Sequence, residues 1–383
     1  MNYFNKFSSV EKKIFKKNRF KLSKNETIEL SKNFNNSSIL IVGACGSIGR
    51  KVTEKVLKFN FNQLILLDKN ENELTALNRE IILKLSGKKL LNINYICVDI
   101  NIHRIDTIIK KYKITHYLNF AAIKHVRSET EIETLKYMFK TNFIKCIPKK
   151  NYHLKTIFSV SSDKAVNPTS LLGISKYLME NNLAKFKKNN PDVFVSTARF
   201  ANVAFSSGSI LEYVQSRIIN KKPFGIPDKI KRYFITHDEA SDICFKSMLN
   251  QNDGSIIFPS TKVKLKPVLI LDIVKKILIV NKINNYKFTN IMNFKKYNEI
   301  YLSPSNIDGQ KSYEEFFYKT DKVSRASKDG TIDKTSLKFN SKYYLLQKKI
   351  FKFRSISKLK IFISKKIKAY KNIKITININ HSL

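Results

Sequence analysis

Glycine, cysteine and acidic residues are all scarce in this sequence of 383 residues. It has only ten glycines, well below the usual share of about 7%, so each is expected to meet a backbone requirement. The four cysteines lie far apart without disulfide or metal spacing, which indicates reduced thiols. No apolar run approaches the roughly 20 residues of a membrane helix, and the N-terminus lacks a signal-peptide core. The sequence therefore predicts a soluble, cytoplasmic protein without a membrane span.

Acidic residues number 30 against 71 basic ones, giving a formal net charge of +41. Such a charge first suggests a nucleic-acid partner, because clustered cations neutralise phosphates. Lysine is nevertheless spread from Lys6 to Lys374, together with asparagine and isoleucine. The even spread favours a compositional drift, and no nucleic-acid partner is predicted. Hydrophobic residues make up 43% of the chain, enough for a sizeable core, which excludes disorder of the whole.

Short apolar runs alternate with stretches of helical spacing between residues 37 and 204. The strands are predicted at Ser38–Ala44, Gln63–Leu67, Ile93–Val98, His116–Phe120, Thr156–Val160 and Val193–Phe200. This alternation predicts stacked βαβ units, and so an α/β protein with a doubly wound parallel sheet of the Rossmann type. Residues 1–36 predict an N-terminal helical arm, 205–330 a smaller mixed substrate lobe, and 331–383 a basic C-terminal helical extension.

The turn after the first strand reads Gly-Ala-Cys-Gly-Ser-Ile-Gly, with Gly43, Gly46 and Gly49 three residues apart. Backbone that approaches a pyrophosphate, and a helix that packs tightly on its strand, both exclude a Cβ. The helix N-terminus adds N–H groups and a favourable dipole, so Ser47 and Ile48 are predicted to take part. The turn predicts a dinucleotide site, and its spacing is typical of short-chain dehydrogenases/reductases.

Acidic residues end the second and third predicted strands. Asp68 follows Gly49 by 19 residues, where a carboxylate accepts hydrogen bonds from the adenosine ribose. Lys69 comes next, which leaves a 2′-phosphate open and with it the choice between NAD and NADP. Asp99 is predicted either to cap the adenine amino group or to be a solvated acid at a strand end. The predicted cofactor is NAD(P)+.

Residues after the fourth and fifth strands are expected at the ligand-binding edge of the sheet. Ala121 and Ala122 allow a ring or a ribose to lie close, and Lys124 is predicted to face both cofactor and substrate. Asp163 and Lys164 are adjacent after the fifth strand. Opposite charges placed side by side hold each other's pKa within reach of acid and base roles.

Several long stretches resemble the extended short-chain dehydrogenases/reductases of the polysaccharide-biosynthesis type, the nucleotide-sugar 4,6-dehydratases. These stretches are GACGSIG, NFAAIKHV, SSDKAVNPTSLLGISK, ARFANVAFSSGSIL, KRYFIT and DGQKSYEEFF. The resemblance covers roughly residues 38 to 318. It implies a UDP-sugar substrate, with UDP-GlcNAc as the leading candidate, and a tightly bound NAD(P)+. It also implies a homo-oligomer and a role in surface-polysaccharide biosynthesis.

The resemblance also implies a reaction and residue roles. The C4 hydroxyl is oxidised, C5 is deprotonated, water leaves from C6 and the hydride returns to C6, giving a 4-keto-6-deoxy sugar. Asp163 matches the residue that protonates the departing hydroxyl, and Lys164 matches the base at C5. Ser162 matches the position beside the C4 hydroxyl. Lys176 matches the lysine that holds the nicotinamide ribose, and Asn142 matches the active-site asparagine.

Residues in the second half of the chain match the binding of the sugar diphosphate. Asn202, Ser207 and Ser209 match the loop that receives it. Arg232 opens the RYFIT stretch, and its planar guanidinium suits a phosphate. Lys311 matches a pyrophosphate partner, although the arginine that often precedes it in relatives is absent here.

Leu172 stands where many relatives carry a tyrosine, four residues before the lysine. A subset of sugar-nucleotide dehydratases has methionine there, so the apolar residue fits a dehydratase and counts against a 4-epimerase. Ser162, Asp163 and a water molecule all stay open as acceptors of the C4 proton, and both C5 outcomes stay open.

Two other functions compete with the dehydratase. One is an epimerase of the same family. The other is a non-catalytic basic binding protein, whose residues 342–374 contact nucleic acid or, as a peripheral amphipathic helix, a membrane face. The same lysine and isoleucine pattern fits a helix packed on the catalytic domain, and this interpretation is favoured.

Overall fold

A computed structural model of the chain describes residues 3–85, 92–125, 129–250, 254–263, 265–291, 296–304, 314–344 and 346–367. Its α-helices are α1 (Tyr3–Ile14), α2 (Lys24–Phe34), α3 (Ser47–Val56), α4 (Glu71–Lys84), α5 (Ile105–Lys111), α6 (Ile132–Phe139), α7 (Leu171–Asn189), α8 (Ile210–Ile219), α9 (His237–Leu249), α10 (Ile270–Val280), α11 (Ser341–Tyr344), α12 (Leu346–Ile350) and α13 (Ile356–Lys366). Its strands are β1 (Ser38–Val42), β2 (Gln63–Asp68), β3 (Ile93–Cys97), β4 (His116–Asn119), β5 (Thr156–Ser159), β6 (Phe194–Ala198), β7 (Asn202–Val203), β8 (Phe224–Pro227), β9 (Lys231–Arg232), β10 (Phe234–Ile235), β11 (Ser255–Pro259), β12 (Val268–Leu269), β13 (Lys287–Thr289), β14 (Glu299–Ser303), β15 (Ser324–Arg325) and β16 (Ile332–Ser336).

One large sheet has the strand order β15-β16-β11-β6-β5-β4-β1-β2-β3. It is parallel from β3 to β11, and the two outer strands β16 and β15 are antiparallel. Strand β1 is buried along its whole length, as expected of a parallel strand covered by helices on both faces. The predicted α/β fold with a doubly wound sheet is confirmed, and β1 to β6 start and end within two residues of the predicted strands.

The chain leaves this sheet after β6 and returns to it twice. Strand β11 pairs in parallel with β6, and β16 pairs with β11 in the opposite direction. The predicted boundaries at 204 and 330 are therefore wrong as limits of the sheet, and residues 331–383 begin with a strand rather than a helix. The fully buried run Ser255–Pro259 is too short to separate from a buried helix by periodicity. Strand β16 carries too many polar residues to show in the sequence.

The smaller lobe has its own core. A three-stranded parallel sheet, in the order β13-β14-β8, packs with α8 and α10. Phe224, Ile300 and Ile277 are buried between these elements. Helix α1 covers the same core with Phe7, whose ring stacks on Phe205 at a centroid distance of 6.4 Å. The N-terminal arm thus completes the core of the lobe.

The rest of the N-terminal arm attaches to the large sheet. Arg19 donates from Nε and from a terminal nitrogen to the two oxygens of Glu239, at 2.7 and 2.8 Å, and Glu239 is fully buried. Helix α2 begins with a capping box between Ser23 and Glu26 and buries Phe34 against Phe245 of α9. Because α1 packs on the lobe and α2 on α9, the arm ties the two parts of the protein together.

The C-terminal helices pack on α6 and α7. Leu346, Ile350, Leu359, Ile363 and Ile367 are buried with side chains of α6 and α7. Their apolar faces therefore contact the protein's own core, which supports the packing interpretation over exposure to a membrane face. Within the described ranges, no helix has both the length and the hydropathy needed to cross a bilayer.

Truncation of Ile363 is expected to destabilise the protein strongly. This side chain is completely buried against α6 and α7, whereas Ile361 of the same helix is 52% exposed. Ile363→Ala should lower the free energy of unfolding by about 2–5 kcal/mol, and the matched Ile361→Ala by less than about 0.5 kcal/mol. Urea denaturation of the full chain measures both. Equal losses from the two variants would contradict the packing.

Candidate active site

The glycine turn between β1 and α3 is shaped for a close backbone approach. Gly43 has a φ of +74°, and a Cβ added there would lie 2.6 Å from the Ala121 backbone nitrogen. A Cβ on Gly49 would lie 2.1 Å from the Gly43 carbonyl oxygen. Helix α3 begins after Gly46, which offers no side-chain cap to the first N–H groups, those of Ser47 and Ile48. Uncapped N–H groups at a helix start suit a phosphate, so the turn fits a dinucleotide.

Asp68 lies beside this turn at the end of β2. Its Oδ2 accepts a hydrogen bond from the Cys45 backbone nitrogen at 3.0 Å, and its Oδ1 accepts one from Asn70 at 3.1 Å. The carboxylate therefore ties the strand end to the glycine turn. This is the place where the sequence predicts a ribose contact.

Asp99 belongs to a network at the end of β3. Its Oδ2 accepts a hydrogen bond from the Tyr137 hydroxyl at 2.6 Å, and its Oδ1 accepts one from the Asn101 backbone nitrogen at 2.8 Å. The Lys69 amine donates to the same tyrosine hydroxyl at 3.1 Å. Both oxygens of Asp99 thus have protein partners, and Tyr137 links the carboxylate to Lys69.

The loop after β4 carries Lys124, an exposed residue whose amine extends to the segment before α8. Ala121 and Ala122 are half-buried directly after the strand. The Lys124 amine donates to the Ser206 hydroxyl at 3.3 Å. Desolvation of its amine lowers the pKa of Lys124 to about 8, the Glu212 carboxylate opposes this shift and the Lys164 charge adds to it. Lys124 and Lys164 therefore interact electrostatically.

Helix α7 carries a buried lysine, Lys176. The Lys176 amine donates to the Val160 carbonyl oxygen at 2.9 Å, and burial lowers its pKa to about 8. Asn142 lies in the π-helical segment Lys140–Ile144, where its side chain hydrogen-bonds Ser175 at 3.0 Å and both backbone groups of Ile123 at 2.8 Å. These bonds join α7 to the loop after β4, so the two predicted cofactor residues are held rigidly.

Ser162, Asp163 and Lys164 form a compact group at the carboxyl end of β5. The Ser162 hydroxyl donates to Asp163 Oδ1 at 2.7 Å and accepts from the Lys164 backbone nitrogen at 3.1 Å. The Lys164 amine lies 3.6 Å from the same Asp163 oxygen. The Asp163 side chain is 6% exposed and that of Lys164 39%. A buried carboxyl group beside an accessible amine suits an acid and a base that work on one substrate.

Helix α7 packs directly on this group. A Cβ added at Gly173 would lie 2.4 Å from the Lys164 carbonyl oxygen. The preceding Leu172 is buried among apolar side chains, and its backbone nitrogen donates to Glu129 Oε1 at 2.9 Å. No phenol therefore stands at this position of the helix.

The predicted substrate residues divide between two places. Ser207 contacts the cofactor turn, since its backbone nitrogen donates to the Ser47 hydroxyl at 2.9 Å, and Ser209 caps α8. Asn202 and Arg232 lie nearer Asp163, in β7 and β9. Lys311 lies outside the described residues.

Glu314 is a site residue that sequence reasoning missed. Its Oε1 accepts a hydrogen bond from Asn202 Nδ2 at 2.8 Å and lies 3.9 Å from Arg232 Nε. Burial raises the pKa of Glu314, and the charge of Asp163 raises it further. The only sequence signal was the pair of acids within DGQKSYEEFF, in a chain where acids are scarce.

A buried ion pair lies beneath the site, and sequence reasoning did not predict it. Arg199 donates from Nε and a terminal nitrogen to the two oxygens of Glu180, at 2.8 and 2.6 Å, and Ser161 donates to the same carboxylate at 2.6 Å. Both charged side chains are at least 95% buried. The pair anchors α7 to the residues that follow β5 and β6.

Glu180→Ala should destabilise the protein by about 3–5 kcal/mol, because it leaves the Arg199 guanidinium buried without its counter-charge. The matched control is Lys84→Ala, which removes a pair with Glu54 whose side chains are 55% and 40% exposed. That loss should stay below about 1 kcal/mol. Chemical denaturation measures both free energies. A small effect of Glu180→Ala would show that the pair is not structural.

The sheet order, the glycine turn and the Asp163–Lys164 group together define a Rossmann-type protein of the extended short-chain dehydrogenase/reductase class. A family model described as "Polysaccharide biosynthesis protein" matches residues 39–334. The chain belongs to this family.

Curated relatives are about one quarter identical to the chain. The capsular polysaccharide biosynthesis protein CapD of Staphylococcus aureus is 26% identical over 295 residues, which are 75% of this chain and 49% of that protein. An inverting UDP-N-acetylglucosamine 4,6-dehydratase of Campylobacter jejuni is 25% identical over 245 residues, 59% of this chain and 67% of that protein. A UDP-glucose 4-epimerase of Rickettsia bellii is 26% identical over 72% of this chain and 80% of that protein. The chain spans about half the length of CapD.

Solved structures share the fold at lower identity. Pen from Bacillus thuringiensis has a TM-score of 0.57 at 21% identity, covering 74% of this chain and 84% of that protein. The Bordetella bronchiseptica enzyme WbmF, solved in complex with NADH, has a TM-score of 0.53 at 12% identity, covering 73% and 85%.

Proposed function

We propose that the protein is a nucleotide-sugar 4,6-dehydratase that converts UDP-GlcNAc to a UDP-4-keto-6-deoxy-N-acetylhexosamine. The observation that carries the proposal is the Asp163–Lys164 group at the carboxyl end of β5. It places a buried acid and an accessible base together, as an elimination across C5–C6 requires. The relatives that act on UDP-sugars support the substrate class.

The glycine turn and the segments that carry Lys124 and Lys176 would hold NAD(P)+. Gly43, Gly46 and Gly49 leave room for its diphosphate, and Ser47 and Ile48 offer backbone N–H groups. Bound there, NAD(P)+ would supply the oxidation at C4 and the hydride for C6. The complex of WbmF with NADH supports this choice of cofactor class.

The chain's own residues carry the proton transfers. A ketone at C4 acidifies C5–H, and the accessible Lys164 amine removes that proton. Asp163 gives a proton to the C6 oxygen, which departs as water. Once a hydride has been added at C6, C5 takes up a proton again, and the Lys164 ammonium is the group placed to give it. Ser162 holds Asp163 Oδ1 at 2.7 Å and thereby orients the acid. Lys124 and Arg232 place positive charge where the sugar diphosphate carries negative charge.

The identity of the product tests this function. The wild-type protein is incubated with UDP-GlcNAc and a trace of NAD+ or NADP+, and the product is followed by proton NMR. We expect a new C6 methyl signal and loss of the C4 proton, and the configuration at C5 distinguishes an inverting from a retaining enzyme. Formation of UDP-GalNAc, with C6 unchanged, would contradict the proposal and establish an epimerase.

The epimerase is the second candidate, because one curated relative is a UDP-glucose 4-epimerase. The epimerases that this fold resembles rely on a tyrosine phenol where Leu172 stands, and Leu172 is buried. A Leu172→Met variant is expected to keep dehydratase activity within a few-fold of the wild type, because this swap conserves apolar volume. A large loss of turnover in a stably folded Leu172→Met protein would contradict the role assigned to this position.

A further inference from the structure

Among the described residues, one buried carboxylate oxygen near Asp163 has no hydrogen-bond partner. The Glu314 side chain is 6% exposed, and its Oε1 is used by Asn202 and Arg232. Its Oε2 is buried and makes no hydrogen bond with any of the described residues. A buried acceptor without a donor costs free energy, so a functional reason for this arrangement is expected.

Comparison with Glu180 shows how the same chain treats a purely structural carboxylate. Both Glu180 oxygens accept hydrogen bonds from Arg199, and Ser161 adds a further donor. Glu314 is satisfied on one oxygen only. Asn202 Nδ2 and the Arg232 side chain hold that oxygen, which fixes the carboxylate plane and leaves the second oxygen oriented but unused.

Glu314 interacts with residues assigned to both parts of the proposed substrate. The charge of Asp163, which is proposed to act on the sugar, acts on Glu314. Asn202 and Arg232, which come from the segments predicted to receive the sugar diphosphate, contact its Oε1. Sugar rings carry hydroxyl and amide N–H donors, which a carboxylate binds well.

We propose that Glu314 is a further substrate-binding residue, whose Oε2 accepts a hydrogen bond from a hydroxyl or amide N–H group of the sugar. The inference rests on the proposed function in one respect, namely that a UDP-linked sugar occupies the space beside Asp163. Glu314 thus recognises the sugar, while Arg232 and Lys124 serve the diphosphate.

Calorimetric titration with UDP-GlcNAc and with UDP alone tests this role. In Glu314→Gln, the amide oxygen keeps the Asn202 contact and the amide nitrogen faces the sugar donor. We expect the affinity for UDP-GlcNAc to fall at least tenfold and that for UDP to change less than threefold. Glu315→Gln is the matched control, because Glu315 instead accepts from Asn167 Nδ2 at 3.2 Å, and it should leave both affinities within threefold.

The outcomes separate the inference from the function on which it rests. Equal loss of UDP and UDP-GlcNAc affinity in Glu314→Gln, or no loss of either, would overturn the sugar contact while the wild type still binds UDP-GlcNAc. A wild type that binds no UDP-GlcNAc would overturn both. Glu314→Asp, which keeps the charge but withdraws the oxygens, provides a second folded variant and should also weaken UDP-GlcNAc selectively.

Discussion

Lys164→Ala is expected to lower the rate of 4-keto product formation by a factor of roughly 10²–10⁴, the range of general-base catalysis. The Lys164 amine lies 3.6 Å from Asp163, and its side chain is accessible while that of Asp163 is buried. In the proposed mechanism, removal of the amine leaves C5 without a base. Steady-state kinetics measure the turnover, and UDP-GlcNAc binding should change only slightly because the amine is assigned to the chemical step.

The matched control for this prediction is Lys150→Ala. Lys150 is an exposed lysine in the loop before β5, so its loss removes one positive charge and touches nothing in the site. Turnover by Lys150→Ala should stay within twofold of the wild type. Product formation by Lys164→Ala within tenfold of the wild type would show that another group deprotonates C5.

Gly49→Ala is expected to abolish measurable binding of NAD(P)+. A Cβ at this position would lie 2.1 Å from the Gly43 carbonyl oxygen and 3.0 Å from the Gly43 carbonyl carbon. Both atoms are backbone, so the start of α3 must move away from the turn that receives the diphosphate. Fluorescence titration with NADH and NADPH measures the loss, which should exceed a hundredfold in affinity.

A second variant keeps this prediction testable if Gly49→Ala does not fold. Gly46 is exposed, and a Cβ there would lie 3.3 Å from its nearest neighbour, the Gly43 oxygen. Gly46→Ala should therefore fold, and its affinity for the cofactor should be at least tenfold lower than that of the wild type. Gly225→Ala is the control, because Gly225 lies in β8, outside the glycine turn. Its added Cβ would lie 3.2 Å from the Tyr301 side chain. Unchanged cofactor affinity in folded Gly46→Ala would contradict the assignment of this turn.

The sequence predicted the first six strands and the glycine turn well because both depend on local patterns. Apolar runs such as Ser38–Val42 are buried on both faces, and three glycines within seven residues exclude a Cβ for reasons of local geometry. The position of Asp163 and Lys164 was also predictable, because both residues follow β5 closely. The end of β5 lies beside the end of β4 in the sheet.

The remaining features depend on contacts between distant segments. Strand β16 is polar and gains its place only by pairing with β11, more than 70 residues earlier. Glu314 reaches the site because the chain returns to Asn202 across 112 residues. Nothing in the sequence pairs Arg199 with Glu180, and only the fold brings them together in the interior.

The most direct test of the dehydratase uses UDP-GlcNAc labelled with deuterium at C4. Oxidation at C4, elimination of water across C5–C6 and return of the same hydrogen to C6 predict a product whose C6 methyl group carries one deuterium. Proton NMR of the wild-type reaction shows this as a CH2D signal with no proton at C4. Deuterium that stays at C4 of a sugar whose C6 hydroxyl is intact would contradict the account.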